Sequence, residues 1–110
     1  MANVTIYRGT TPTIVANCKS DLDMNLITQI WFVISQQNKE KIVKYYGDCT
    51  LDEVAKTISM KCTQDETLGL RKGDAILQIR LLLQDGTALA SPQCETVVYA
   101  VNKGGVITDG

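Results

Sequence analysis

Histidine does not occur in this 110-residue chain, which removes the side chain that titrates nearest neutral pH and the commonest metal ligand. No apolar run approaches the roughly 20 residues of a membrane-spanning helix. The opening MANVTIYRG has neither the basic n-region nor the apolar h-region of a secretion signal. These absences predict a protein made and folded in a cytoplasm, without membrane insertion. Positive charge is not concentrated either. The densest group, Lys39, Lys41 and Lys44, is broken by Glu40 and apolar residues, and the formal net charge is −1. No nucleic-acid partner is therefore expected.

The motifs of common chemistries are also missing. Cys18, Cys49, Cys62 and Cys94 lie 31, 13 and 32 residues apart with no C-x-x-C, which argues against a zinc site. They read as small, reduced, largely buried thiols, with a disulfide formed after release into an oxidising medium as the alternative. Gly104-Gly105 lacks the strand–helix context and following lysine of a phosphate loop. Thr10, Thr11 and Ser91 have no base beside them in sequence. Asp21-Leu22-Asp23 is a weak calcium pattern, set against the plainer reading of a solvated loop; Asp52/Glu53 and Asp65/Glu66 are further carboxylate pairs. The expectation is a protein that is not an enzyme, with no cofactor, no metal and no small-molecule substrate.

What the chain does contain is alternation. From Asp74 to Gln84, Ala75, Leu77, Ile79, Leu81 and Leu83 share one face, and Ile76, Gln78, Arg80, Leu82 and Gln84 share the other. Asp85-Gly86 follows, the dipeptide most typical of a two-residue hairpin turn with φ > 0 at both positions, and a return strand runs to Val101. Ser91-Pro92 interrupts that return, predicting a bulge or a switch between sheets. Leu26–Gln36 is the second long strand, with polar Gln29 and Ser35 favouring Ile30, Phe32 and Ile34 as its core face. Trp31 would then stand half-exposed beside Val33, covered by a loop or a neighbouring subunit; plain packing is the commoner role of a single strand Trp, a ligand platform the rarer one.

Shorter runs complete the pattern. Val4 and Ile6 share a face in an opening strand that Gly9–Pro12 ends. Thr13–Cys18 turns Ile14, Ala16 and Cys18 to one side, and Leu22 and Met24 cap the end of the core. Gln36–Lys39 is a hairpin loop into Glu40–Tyr46, Thr50–Val54 is either strand or helical turn, and Lys56–Thr63 alternates cleanly. Thr63-Gln64-Asp65-Glu66 has the form of a capping box, predicting one short helical turn near residues 64–68. About seven strands at regular spacing, each with an apolar face to cover, predict an all-β antiparallel sandwich. Residues 1–103 form its single domain. Residues 104–110 read as a flexible C-terminal tail, with Val106 and Ile107 able to dock.

Tyr7-Arg8-Gly9-Thr10-Thr11-Pro12, the Ile30-Trp31 strand, Thr63-Gln64-Asp65-Glu66-Thr67 and Leu83 to Ser91 (LQDGTALAS) occur in one order and spacing. In that combination the chain resembles small phage and prophage structural proteins encoded among tail and baseplate genes of Gram-positive bacteria. It is also similar to the immunoglobulin-like N-terminal domain of phage baseplate upper proteins, from about Val4 to Ile107. The resemblance implies an immunoglobulin-like sandwich without catalytic residues, present in the host cytoplasm during assembly and then in the virion. Its expected partners are other copies of itself and neighbouring tail or baseplate proteins. Sequence end and family pattern together point to assembly rather than direct host binding. Trp31, Val33, Ile76 and Leu82, apolar residues on presumed outer faces, are the candidate interface. The competing expectation is a carbohydrate- or cell-surface-binding module using loop carboxylates with Trp31, Tyr45 or Tyr46.

Overall fold

Two long strands, β3 (Ile27–Gln36) and β7 (Gly73–Leu83), pair antiparallel with Ile30 opposite Leu81 and Phe32 opposite Ile79. They form the middle of a six-stranded sheet in the computed structural model, which describes residues 5–91 and 93–108. The period-two pattern of both strands holds. Ala75, Leu77, Ile79 and Leu81 of β7 and Ile30, Phe32 and Ile34 of β3 are buried, as branched and aromatic side chains on one pleated face should be.

Around this pair the sheet runs β1 (Thr5–Tyr7), β9 (Cys94–Tyr99), β7, β3, β4 (Lys39–Tyr45), with β8 (Ala88–Ala90) also paired to β7. The second sheet is β2 (Thr13–Asn17), β6 (Thr57–Lys61), β5 (Cys49–Asp52). Its inward residues, Ile14, Ala16, Ile58 and Met60, share one core with Phe32, Ile34, Ile42, Leu77 and Val98. The chain changes sheets between β1 and β2, β2 and β3, β4 and β5, and β6 and β7. That routing gives the B-E-D and G-F-C-C′ grouping of an immunoglobulin-type sandwich.

The fold class is as the pattern predicts, with corrections in detail. There are nine strands among the described residues rather than about seven, because β5 is a strand and the return from Asp85-Gly86 is split into β8 and β9. The split is an interruption within one sheet, not a switch between sheets, since both pieces pair with β7. Ser91 fills the gap: its N–H donates to the Ile79 carbonyl (2.9 Å) and its hydroxyl accepts from Ile79 N–H (3.0 Å). Pro92 and Val4 lie outside the described residues. One pairing, β1 with β9, is parallel.

The turns also divide differently. Gly86 has φ +87°, whereas Asp85 does not have positive φ, so Gln84-Asp85-Gly86 is a three-residue loop with glycine at the bulge position. Gly86 N–H donates to the Leu83 carbonyl and Leu83 N–H to the Thr87 carbonyl, at 3.0 and 2.9 Å. The two-residue turn with both φ positive lies between β3 and β4, at Gln37 (52°) and Asn38 (62°).

Helix α1 (Gln64–Leu68) closes one end of the sandwich and begins with the predicted capping box: Thr63 Oγ1 accepts from Glu66 N–H, and Glu66 Oε1 accepts from Thr63 N–H at 2.8 Å. Its Thr67 is fully buried and donates to the Thr10 carbonyl (2.8 Å). Arg8 Nη2 donates to the Leu68 carbonyl (2.9 Å). The segment after β9 returns to the same helix, where Gln64 donates to the Ile107 carbonyl (3.1 Å) and accepts from Ile107 N–H (2.6 Å).

Candidate functional site

The two sheets present different outer faces, and the difference follows from strand register. On the three-stranded sheet, the outward residues are Thr13, Val15, Asn17, Thr50, Asp52, Thr57, Ser59 and Lys61. Val15 is the one apolar side chain in that set. On the six-stranded sheet, cross-strand partners share a face, so the outward residues form rows that can be read across the strands.

The row through Trp31 runs Tyr45–Trp31–Arg80–Ala90, and the next runs Val43–Val33–Gln78. Beyond these, Gln29–Leu82–Ala88 lies at one end of the strands. Toward the other end come Ser35–Ile76–Glu95, then Asp74–Val97–Thr5, then the Tyr99–Tyr7 pair, whose ring centroids are 5.4 Å apart. All four residues singled out from the sequence stand on this one face. Trp31 is 48% and Leu82 39% exposed, while Val33 and Ile76 are half-buried.

Apart from Tyr45, named in the competing sugar-binding expectation, sequence reasoning missed the rest of the surface. Tyr45 (52% exposed), Val43, Val97, Tyr99 and Tyr7 join the same face only because β4, β9 and β1 flank the central pair. A usable signal existed in the alternation of Glu95, Val97 and Tyr99 against Thr96 and Val98, but it cannot say which sheet a strand joins. Arg80 was also missed: its guanidinium carbon sits over the Trp31 ring, 5.1 Å from the centroid, in a cation–π contact.

This stacking limits the groove beside Trp31 as a small-molecule site. The groove beside Trp31, lined by Gln29, Trp31, Arg80, Leu81, Leu82 and Ala88, has a volume of about 180 Å³. That is below the few hundred Å³ of a typical ligand pocket, and Arg80 occupies one face of the ring.

The carboxylates in loops have local duties. Asp23 Oδ1 accepts from Asn25 N–H, Asp48 Oδ2 from Tyr45 N–H, and Asp52 Oδ1 from Val54 and Ala55 N–H, each at 3.0 Å. Glu53 accepts from Met24 N–H and from Lys56 Nζ, and Glu66 pairs with Lys44 at 2.8 Å. Among the described residues no group of three or more Cys, Asp or Glu side chains is placed to hold a metal ion. The four cysteines are free thiols. Burial pushes Cys62 up to about 11, with Glu66 adding to the rise and Lys44 opposing it; Cys18 and Cys49 are also raised, chiefly by burial.

No protein-family model matches the chain, and the curated proteins supply no match either. Among solved structures it is similar to one described as fibronectin(III)-like modules of Clostridium thermocellum CbhA, with 20% sequence identity and a TM-score of 0.52. The alignment covers 91% of this chain and 43% of the other, so this chain spans less than half of that neighbour's length. At that identity the likeness establishes the fold, a fibronectin III-like β-sandwich of the immunoglobulin type.

Proposed function

We propose that the chain is a non-catalytic protein-interaction module, and that it makes its contacts with the outer face of the six-stranded sheet. The observation that carries this reading is the contrast between the two outer faces. Polar side chains cover the three-stranded sheet apart from Val15. Trp31, Tyr45, Val33, Val43, Leu82, Val97 and Tyr99 cover the six-stranded one. Aromatic and aliphatic side chains gathered on one outer face mark a contact surface, and Trp and Tyr are the residues most enriched at the energetic centres of interfaces.

The setting we propose is a bacteriophage or prophage tail or baseplate. It rests on the ordered resemblance that runs from Tyr7-Arg8-Gly9-Thr10-Thr11-Pro12 to the Asp85-Gly86-Thr87-Ala88 loop. In that setting the protein assembles in the host cytoplasm and functions in the virion. Mass spectrometry of purified tail particles from a strain carrying the gene tests the setting directly. The chain is expected in stoichiometric amounts relative to other tail proteins, and its absence from intact particles overturns the assignment.

A further inference from the structure

We infer that the open edge of β8 pairs with β8 of a second copy, antiparallel about a two-fold axis through Leu89, so that two six-stranded sheets continue into one. The inference goes beyond the contact role of the outer face, because it concerns the rim of the sheet and stands on backbone geometry. Three observations carry it: the direction of the β8 backbone groups, the symmetry of the segment and its lack of charge.

The first is hydrogen-bond phase. Among the described residues β8 pairs with β7 alone, and β1 runs beside β9 at Val97–Tyr99, away from β8. Leu83 N–H donates to the Thr87 carbonyl, and Ser91 N–H donates to the Ile79 carbonyl. Bonded pairs recur at every second residue of an antiparallel ladder. Of the three β8 residues, Leu89 therefore turns its N–H and C=O toward β7, opposite Leu81. Ala88 and Ala90 turn theirs away from the sheet, on a strand that is exposed throughout. Two donors and two acceptors line this edge, the arrangement that templates strand addition.

The second is symmetry. Thr87-Ala88-Leu89-Ala90-Ser91 reads nearly the same in both directions about Leu89. An antiparallel copy related by a two-fold axis there sets Ala88 against Ala90 twice, Leu89 against Leu89, and Thr87 against Ser91. The phase agrees with this register. The two Ala88–Ala90 pairs fall where both residues direct N–H and C=O outward, which gives four backbone hydrogen bonds. The Leu89 pair falls at the non-bonded position, where Cα atoms approach to about 4.5 Å and side chains meet. Leu89, 40% exposed in the single chain, is then covered by its own copy. Like meets like at every position, as an isologous contact requires, and that identifies the occupant as a second copy.

The third is the lack of charge. Exposed edges are commonly defended by lysine and other charged side chains. The opposite rim of the same sheet, β4, carries Lys39, Glu40, Lys41 and Lys44, whereas Thr87 to Ser91 carries no charge. A three-residue edge buries far less than a standard interface, so the pairing is weak in dilute solution and is favoured by high local concentration.

Amide exchange measured by NMR at about 20 µM and about 1 mM reads this pairing residue by residue. The Ala88 and Ala90 amides should gain protection as concentration rises, while the Leu89 amide, bonded to β7, is slow at both. Ala90→Pro removes two of the four bonds by symmetry at a position where the sheet itself loses none. It should raise the dimer dissociation constant at least about tenfold by sedimentation velocity at about 1 mM. Leu89→Lys sets two ammonium groups together at the axis and should do the same, and thermal unfolding checks that both variants are folded. Leu82→Lys, on the outer face, should dimerise like the wild type, so this inference and the contact role of that face fail separately. A wild type that is monomeric at about 1 mM, or Ala88 and Ala90 amides that exchange alike at both concentrations, overturns edge pairing. So does a dimer that survives in both Ala90→Pro and Leu89→Lys.

Discussion

Gln36 shows how much one polar side chain can fix. Its amide is only 5% exposed at the end of β3 and satisfies three backbone groups of the corner leading into β7. Nε2 donates to the Arg71 carbonyl (2.7 Å) and the Asp74 carbonyl (3.3 Å), and Oε1 accepts from Arg71 N–H (2.8 Å). Gln36→Leu keeps the volume and leaves those groups unpaired, so stability should fall by about 2–3 kcal/mol. Urea unfolding measures it; a loss below about 0.5 kcal/mol would mean that water replaces the amide. The sequence did not reveal this role. A Gln after an alternating run reads as the polar end of a strand, because the corner it serves is 35 residues away in the chain. Thr67 is similar, since the capping box predicts the helix but not the bond from its hydroxyl to Thr10.

At the scale of elements, most strands were legible from their period and the helical turn from its capping box, while Thr50–Val54 was too short to separate strand from helical turn. The turn chemistry was less so. Asp85-Gly86 is a strong hairpin signal, yet a three-residue bulged loop also needs only one glycine at positive φ, and the dipeptide does not separate the two. Helix α1 adds a pH dependence. Burial pushes the Glu66 carboxyl up, but the bonds from Lys44 and Thr63 outweigh it, and the pKa lies below its ordinary 4.5. A lowered folded pKa stabilises the fold above the unfolded value, and that contribution is lost as pH falls through the folded one. Wild-type melting temperature should therefore drop on acidification below about pH 4.5, and Glu66→Gln should show a shallower drop over the same range. Parallel curves would show that the Lys44–Glu66 contact and the cap contribute nothing to acid sensitivity.

For the whole molecule, the sandwich could be argued from alternation, but its functional asymmetry could not. Trp31, Val33, Ile76 and Leu82 were legible as outward apolar residues because β3 and β7 each carry two apolar faces. Sheet membership of β1, β4 and β9 decided the rest, and alternation contains no information about which strand lies beside which. Tyr45 and Tyr99 therefore became part of the surface only through the topology. The account's central claim is that one outer face makes contacts and the other does not. Leu82 (39% exposed) and Val15 (42% exposed) are equally accessible aliphatic residues on opposite faces, so lysine at each is a matched comparison. Mass spectrometry of tail particles purified from strains carrying Leu82→Lys, Val15→Lys or the wild-type gene tests the claim most directly. The account predicts folded variants, with incorporation lost in Leu82→Lys and kept in Val15→Lys. Unfolding of Leu82→Lys, or equal behaviour of the two variants, would contradict it.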